Sequence, residues 1–369
     1  MKIRDAQLEY RNQRALTAGV WTFPVNLVDP VTEFKIWVWA HVYGGDALAD
    51  QCLPYCITEI ALVDGSEVIF AMDGACAIAS YGYDMGKFPL HWHQELAGMS
   101  NYWCIPITFG RWLTDPEWIF DPTRFRNPQI RITWNLSAVT AADSAGSWIA
   151  NDIAFSVWAK VMEEGARPRG YLMNKELKEF ASLASGDEIT YLPTDFNIRK
   201  VMVRAYKNCG QQNDAITNIK ISQDEDKWIP VDLGSHDFLF LHYDWWDEMD
   251  FFLKCCRDDE EQDEHFGGTY SHGVGVGAQA AIIQNLRGWA NNCFYLDADT
   301  DAGASNDNNQ VWINTFTRSP FDTFCYPFGD QMVAEDWLDV SRIGNLRLIL
   351  RQGATGYNEQ IVVQQAHPY

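Results

Sequence analysis

The sequence has few basic residues and no long apolar run. Its 28 Lys and Arg stand against 50 Asp and Glu, which gives a formal net charge of −22 over 369 residues. A surface this acidic repels phosphate backbones, so we expect no specific nucleic-acid binding by the body of the protein. No stretch reaches the roughly 18 apolar residues that a membrane span needs, and no signal-peptide type of segment opens the chain. We therefore expect a soluble protein that is made in the cytoplasm.

A second cysteine pair at zinc-finger spacing and the short motifs of common enzymes are also missing. The nine cysteines are odd in number and scattered, so we expect reduced and mostly buried thiols. There is no phosphate-binding loop, no Gly-x-Ser-x-Gly and no His-Glu-x-x-His. Aromatic residues, in contrast, are abundant, with 16 Trp, 15 Tyr and 20 Phe. Because such side chains favour strands and bring large buried areas, they predict β-sheets around apolar cores.

Alternation of apolar residues with polar or bulky ones predicts strands along much of the chain. Residues 34–43 follow this period, and Asp64-Gly65 is a strong hairpin signal between two further strands. Helical periodicity is sparse and predicts helices at 175–183 and 278–286. The remaining predicted strands are 57–63, 67–71, 105–109, 129–136 and 152–161.

The chain repeats itself in two places. Ile57 to Ile60 returns as 216–219, at an offset of 159. A longer segment begins at Phe109 and returns at Phe328 with an offset of 219, followed by residues of the same type in the same order. Two echoes in one order predict a duplicated domain. The matched residues are Phe109, Trp118, Asp121 and Arg124 in the first copy, and Phe328, Trp337, Asp339 and Arg342 in the second.

The first copy of this segment also predicts a short helix. Thr114 would cap it, Pro116 would stand in its first turn, and Glu117 follows three residues after the cap. We expect Trp118 and Trp337 to be buried equivalents that each pin such a helix to its sheet.

The growth of the offset from 159 to 219 places 60 extra residues in the second copy. We assign them to a surface insertion at about 250–316, which ten acidic residues within 244–264 open against two basic ones. The predicted division is an N-terminal arm at 1–24, a first domain at 25–167, a helical linker at 168–187 and a second domain at 188–369.

On these residues the chain resembles a known family, the double jelly-roll major capsid proteins of tailless icosahedral viruses of bacteria and archaea. The resemblance is carried by 105–110, by Trp-x-x-Asp-x-x-Arg from Trp118, and by 129–136, together with their counterparts at 328–350. The segments 186–194 and 360–369 also resemble that family. The resemblance implies an all-β fold of two tandem eight-stranded jelly rolls with a few short helices. It further implies a structural protein of the virion capsid rather than an enzyme, assembled in the host cytoplasm.

The same resemblance implies the partners. Homotrimers of pseudo-hexagonal outline would contact neighbouring capsomers, penton proteins and minor capsid proteins in an icosahedral shell. A basic arm formed by Lys2, Arg4, Arg11 and Arg14 would reach the inner surface, toward the genome or an internal membrane. A solvated helical arm is the alternative for these residues.

Three other patterns suggest ligands. Gly86, His91, His93 and Glu95 are similar to the metal motif of cupins, so a tandem cupin enzyme is one alternative. The residues 244–248 combine two Trp with three acids, as in a sugar-binding protein. Asp297, Asp299 and Asp301 alternate like the start of a calcium loop, with a solvated acidic loop as the alternative. Apart from that calcium ion, no cofactor is predicted.

Overall fold

The structure is a computed structural model, and it consists mostly of β-strands. It describes residues 1–42, 52–92, 100–138, 148–207, 210–256, 262–265, 272–277, 282–284, 293–297 and 310–369. Among these residues no helix is long and apolar enough to cross a membrane.

The first half of the chain contains nine named strands and one helix. They are β1 (Lys2–Arg14), β2 (Ala18–Pro24), β3 (Val31–Val42), β4 (Ile57–Asp64), β5 (Glu67–Met72), α1 (Gly74–Met85), β6 (His91–Trp92), β7 (Ser100–Thr108), β8 (Pro128–Asn135) and β9 (Trp148–Glu164). Short 3₁₀ helices span Leu53–Cys56 and Pro122–Arg124.

The second half repeats this series and adds further strands before the last three. Its elements are β10 (Gly170–Ala181), β11 (Gly186–Tyr191), β12 (Ile198–Tyr206), α2 (Gln212–Ala215), β13 (Ile216–Gln223), β14 (Trp228–Gly234), α3 (Ser235–Trp245), β15 (Met249–Cys256), β16 (Gln262–His265), β17 (His272–Gly277), β18 (Ile282–Gln284), β19 (Cys293–Asp297), β20 (Gln310–Thr317), β21 (Thr323–Pro327), β22 (Leu346–Gln352) and β23 (Asn358–Pro368). Two 3₁₀ helices span Pro320–Asp322 and Ala334–Asp336.

Both halves build the same pair of sheets. The first half orders its strands β1-β9-β3-β7-β6 and β2-β8-β4-β5, and the second half orders them β10-β23-β12-β21 and β11-β22-β13-β14. Strand β8 alternates buried Ile130, Ile132 and Trp134 with residues that face outward, and β22 alternates Leu346, Leu348 and Leu350 in the same way. The predicted duplication and the predicted jelly-roll class are therefore confirmed.

The two jelly rolls share one continuous sheet. Strand β10 pairs with β23 over most of its length and forms one parallel pair with β5, between Lys175 and Ala71. This pair joins the strands β2-β8-β4-β5 of the first roll to β10-β23-β12-β21 of the second in a sheet of eight strands. The rolls therefore stand side by side, and α1 lies where they meet.

Helix α1 was not predicted, although its ends carry strong signals. The carboxylate of Asp73 accepts a hydrogen bond from the Cys76 amide at 2.6 Å and caps the helix. Gly86 ends it with a φ of 65°, a conformation that favours glycine. Eleven of its twelve residues, Gly74 to Asp84, are buried. Because the helix is covered on all sides, it shows no amphipathic period.

Two predicted segments are wrong. The arm at 1–24 is instead β1 and β2, since Lys2–Arg14 pairs along β9 and Ala18–Pro24 pairs along β8. The helical linker at 168–187, including the helix at 175–183, is strand β10 and the start of β11. Sheet partners on both sides outweigh the local helical preference of its Lys and Glu residues. The boundaries of the two domains otherwise stay predictions.

The predicted insertion contains strands that pair with one another. Strands β15, β20 and β17 form one sheet, and β16, β19 and β18 form another. In the described part of the chain these strands do not pair with those of the two jelly rolls. Within the helix predicted at 278–286, residues 282–284 form β18 and the others lie outside the described residues.

Candidate functional site

The junction between the two jelly rolls holds charged groups that are fully buried. Asp84, near the end of α1, contacts Arg199 at 2.5 Å and Lys200 at 2.7 Å, both on β12. Gln364 on β23 donates to the same carboxylate at 3.2 Å. Burial alone would raise the pKa of Asp84, but the charges of Lys200 and Arg199 outweigh it and hold the pKa below its ordinary value. One carboxylate of the first roll thus binds two cations of the second.

A second polar group lies at the other end of α1. Asp73 contacts Arg204 on β12 at 2.8 Å, so one carboxylate caps the helix and also binds the second roll. Arg204 also donates to Gln360 at 2.6 Å, and Gln360 donates to Glu176 of β10 at 3.2 Å. Burial, helped by the nearby charge of Asp73, raises the pKa of Glu176 to about 7. Helix α1 therefore contacts the second roll with acids at both ends.

The last turn of α1 packs closely against the second half of the chain. A side chain added at Gly82 would lie 2.6 Å from the sulfur of Met249. The Tyr83 hydroxyl donates to the carbonyl oxygen of Thr323 at 2.5 Å. Met202 and Val362, which belong to β12 and β23, pack into the apolar core of the first roll. Buried polar and apolar contacts thus join this part of α1 to the second half of the chain.

The two repeated tryptophans meet each other at this junction. The rings of Trp118 and Trp337 lie 5.4 Å apart and pack with Leu172 and Ala366 in a small cluster of their own. Trp337 is only 3% exposed, whereas Trp118 is partly buried. The helix predicted at 114–117 does not form, and Asp115 accepts hydrogen bonds from the amides of Glu117 and Trp118. Trp337, in contrast, follows the 3₁₀ helix Ala334–Asp336 and packs on Leu172 and Ala366 of its own roll. The two tryptophans are therefore not equivalent, and Trp118 packs against the copy to which Trp337 belongs.

The remaining repeated residues make similar contacts in the two copies. Asp121 accepts a hydrogen bond from the Thr123 amide at 3.1 Å, and Asp339 accepts one from Ser341 at 2.9 Å. Arg124 lies 3.5 Å from Asp121, and the positive charge of Arg342 helps lower the pKa of Asp339, after the hydrogen bonds from Ser341. Phe109 and Phe328 are buried in the cores of the first and second roll.

The basic residues of the predicted arm belong to the edge of a sheet. Lys2 and Arg4 contact Glu163 of β9 at 3.1 and 2.6 Å. The guanidinium of Arg14 lies 4.5 Å from the ring centre of Trp21. That of Arg11 lies 5.9 Å from the ring centre of Tyr10. A free arm at these four residues is therefore wrong, because strand pairing fixes the segment along the first roll, and their position on the inner surface stays a prediction.

The three predicted ligand patterns gain no support from the described residues. His91 stacks on Trp103 at 4.6 Å, while His93 and Glu95 lie outside the described residues. Trp246 is buried and its indole N–H donates to the carbonyl of Cys325 at 3.4 Å, so it is not a surface platform for a sugar. Asp297 ends β19, and Asp299 and Asp301 lie outside the described residues. No group of three metal-ligating side chains occurs in the described part of the chain.

The five cysteines whose side chains the structure describes fit the prediction of buried, reduced thiols. Each of them is a buried thiol outside any disulfide: Cys52, Cys56, Cys76, Cys104 and Cys325.

A face of the first roll that was not predicted carries an aromatic cluster, which we call the aromatic face. Trp37 and Trp39 of β3 stack at 5.9 Å, and Tyr102 of β7 lies 6.1 Å from Trp37. Together with Trp158 of β9 and Tyr10 of β1 they line a cavity of about 470 Å³ on the outer side of the sheet β1-β9-β3-β7-β6. The period-two pattern at 34–43 contains these tryptophans, but it does not tell which side of the strand is the core.

Next to this face, hydrogen bonds among four polar side chains link four strands. The imidazole of His41 on β3 contacts Ser100 of β7 at 2.7 Å and Asp152 of β9 at 2.5 Å. Gln13 of β1 donates to the second oxygen of Asp152 at 2.8 Å. These bonds hold the ends of four neighbouring strands in register.

Comparisons of the sequence with protein-family models and with curated proteins find no match. Solved structures, in contrast, match over the full length. The major capsid protein of STIV, the Sulfolobus Turreted Icosahedral Virus, is 8% identical with a TM-score of 0.61, and the match covers 100% of this chain and 97% of that one.

Two further structures agree. The major capsid protein of bacteriophage PM2 is 10% identical with a TM-score of 0.54, over 100% of this chain and 98% of that one. The PBCV-1 protein VP54 is 11% identical with a TM-score of 0.56, over 99% and 93% of the two chains. The resemblance noted in the sequence is thus confirmed at the level of the fold: the chain has the double jelly-roll fold of these major capsid proteins.

Proposed function

We propose that the protein is a major capsid protein, which assembles as trimers of pseudo-hexagonal outline into an icosahedral viral shell. The observation that carries the proposal is the rigid pairing of two jelly rolls of the same strand order through the buried charges around Asp84. Six such rolls in a trimer give a nearly six-sided tile, which packs laterally with few gaps. The full-length similarity to major capsid proteins of other viruses supports the same role.

The proposed role is structural and without catalysis. Its partners would be further copies of this chain and, at the vertices and joints of the shell, penton and minor capsid proteins. Assembly would take place in the host cytoplasm. The predicted sugar-binding alternative loses one of its two tryptophans, since Trp246 is buried.

Native mass measurement and electron microscopy of the purified protein test this function. We expect a complex of three chains that forms closed shells or flat hexagonal arrays when concentrated. A protein that stays monomeric at every concentration, with no shells or arrays, would contradict the proposal.

We further propose that the insertion at 250–316 points outward from the shell. Its acidic opening, with Asp244, Asp247 and Glu248 exposed, would be repelled by a genome or anionic membrane inside. Limited proteolysis of intact particles should therefore cut within the insertion first. Insertion sites that are cut only after the shell has been opened would contradict this orientation.

A further inference from the structure

Two surfaces among the described residues correspond to the two sides of the contact between the rolls, and both are exposed to solvent. They are the outer side of α3 and the aromatic face. Strands β3 and β12 hold the same place in their sheets, and both have a register shift at their start, between Val31 and Glu33 and between Ile198 and Lys200. The amides of Val31 and Ile198 also make matching hydrogen bonds, to Phe120 and Leu338. The outward residues Glu33, Lys35, Trp37 and Trp39 therefore match Lys200, Met202, Arg204 and Tyr206, at an offset of 167.

Helices α1 and α3 match in the same way. Helix α1 follows β5, which pairs with β4, and α3 follows β14, which pairs with β13. Their first residues, Gly74 and Ser235, are 161 positions apart. Applied along the helix, this offset pairs Ala79 with Phe240 and Gly82 with Tyr243. The face of α1 that touches the second roll is thus the face of α3 that is open to solvent.

The open face of α3 is apolar as well as acidic. Phe240 and Tyr243 are each 49% exposed, and Asp237 and Asp244 beside them are exposed. In α1 the matching positions hold small residues, and a side chain added at Gly82 would lie 2.6 Å from the sulfur of Met249. In α3 they hold large aromatic residues, and the matching sheet face of the first roll has a cavity of about 470 Å³ between its tryptophans. The difference in side-chain size fits the difference between the two sheet faces.

We propose that α3 of one chain docks on the aromatic face of a second copy of this chain, in the way that α1 docks on the second roll. The inference rests on the proposed function in that it names the contact by which copies join. The equivalence of the two rolls supports it, since the aromatic face lies on β3 and holds the place that the outward side of β12 holds in the contact with α1. The contact is heterologous, so repeating it joins second roll to first roll around a ring.

Variants of the two surfaces test the proposal. We expect Phe240→Asp with Tyr243→Asp on α3, and separately Trp37→Glu on the aromatic face, to raise the dissociation constant of the oligomer at least about 30-fold, the effect of losing one interface hot spot. The control is Tyr191→Ser on β11, which is 68% exposed and lies on neither surface. Circular dichroism and urea unfolding should show that all variants are folded.

Mixing the variants tests the direction of the contact. The α3 variant keeps an intact aromatic face and the Trp37 variant keeps an intact α3, so a mixture of the two monomers should form a complex of one chain of each. Variants that assemble like the wild type would overturn the docking contact while the proposed function stands. Monomers that do not pair when mixed would also overturn it. A wild-type protein that never assembles would overturn both.

Discussion

Helices α1 and α3 occupy the same place in two copies of one fold, yet α1 is buried and α3 has one side exposed to solvent. Helix α1 is buried at eleven of twelve positions and binds three cations of the second roll through Asp73 and Asp84. Helix α3 buries Phe238, Leu239 and His242 against its own roll and exposes the opposite side. The comparison teaches that a duplicated domain does not bury both copies of a surface. Helix α1 is covered by the other roll of the same chain, whereas α3 leaves the matching side exposed.

The largest expected effect is a difference in the free energy of unfolding between two aspartate-to-alanine variants, one on each helix. Replacing Asp84 by Ala should lower the free energy of unfolding by about 4 kcal/mol, because Arg199 and Lys200 would remain buried without their counter-charge. The same change at Asp244 of α3, which is exposed, should stay within about 0.5 kcal/mol. Urea unfolding of both variants, made in a chain that is kept monomeric, measures the difference. Equal losses would show that the two helices do not differ as described.

The next effect separates the repeated tryptophans. Trp337→Ala should cost about 3 kcal/mol, the lower end for a large aromatic truncation, because a cleft of about 320 Å³ already lies beside both indoles. Trp118→Ala should cost about half as much, since Trp118 is only partly buried. Thermal and urea unfolding give both values. A larger loss at Trp118 would contradict the asymmetry between the copies.

A smaller effect depends on pH and compares the junction with the second roll. Burial raises the pKa of Glu176 at the junction and of Glu359 in the second roll to about 7 each. Their folded-state pKa values lie above those of the unfolded chain, so the folded state holds its protons more tightly. Stability should therefore fall as pH rises from about 4.5 to 7, by roughly 1–2 kcal/mol per group, and then level off.

Glutamine variants separate the two groups. Glu176→Gln and Glu359→Gln should each remove part of this slope in urea unfolding measured from pH 4.5 to 8. A slope that both variants leave unchanged would mean that neither carboxyl is protonated in the folded protein near neutral pH.

The smallest effect compares two outward arginines that the sequence repeat relates. Arg131 of β8 pairs with Glu59 at 3.1 Å, and Arg347 of β22 donates to Ser222 at 3.4 Å. Arg131 is exposed to solvent by about two fifths and Arg347 by about a quarter. Alanine at either position should change the free energy of unfolding by no more than about 0.5 kcal/mol. A loss above 1 kcal/mol at one of them would reveal a difference between the copies that the structure does not explain.

The strands and the duplication could be predicted because their signals are local. Strand β8 shows its period in Ile130, Ile132 and Trp134, and two echoes in one order show the repeat. Strand β10 was misassigned because Lys175, Glu176, Lys178 and Glu179 fit a helix, and its partner β23 lies far along the chain.

The junction itself has no local signal. Asp84 meets its cations 115 and 116 residues later, and on β12 the cations Lys200 and Arg204 share a side of the strand opposite to that of Val201 and Val203, as solvent-facing residues would. From the sequence, Arg199, Lys200 and Arg204 look exposed, whereas each is buried beneath α1. Only the placement of one roll against the other shows which charges are enclosed.

The single parallel pair between β5 and β10 has a mechanical consequence. Within each roll the strands are bonded along their lengths, whereas a single parallel backbone pair joins the two sheets, so the backbone alone would let the rolls bend against each other. The buried side chains at the junction oppose that bending, through the ion pairs of Asp73 and Asp84 and the packing of Met202 and Val362 in the first core. The angle between the two rolls, and with it the curvature of any layer built from them, is therefore set by side-chain packing at the junction rather than by backbone hydrogen bonds.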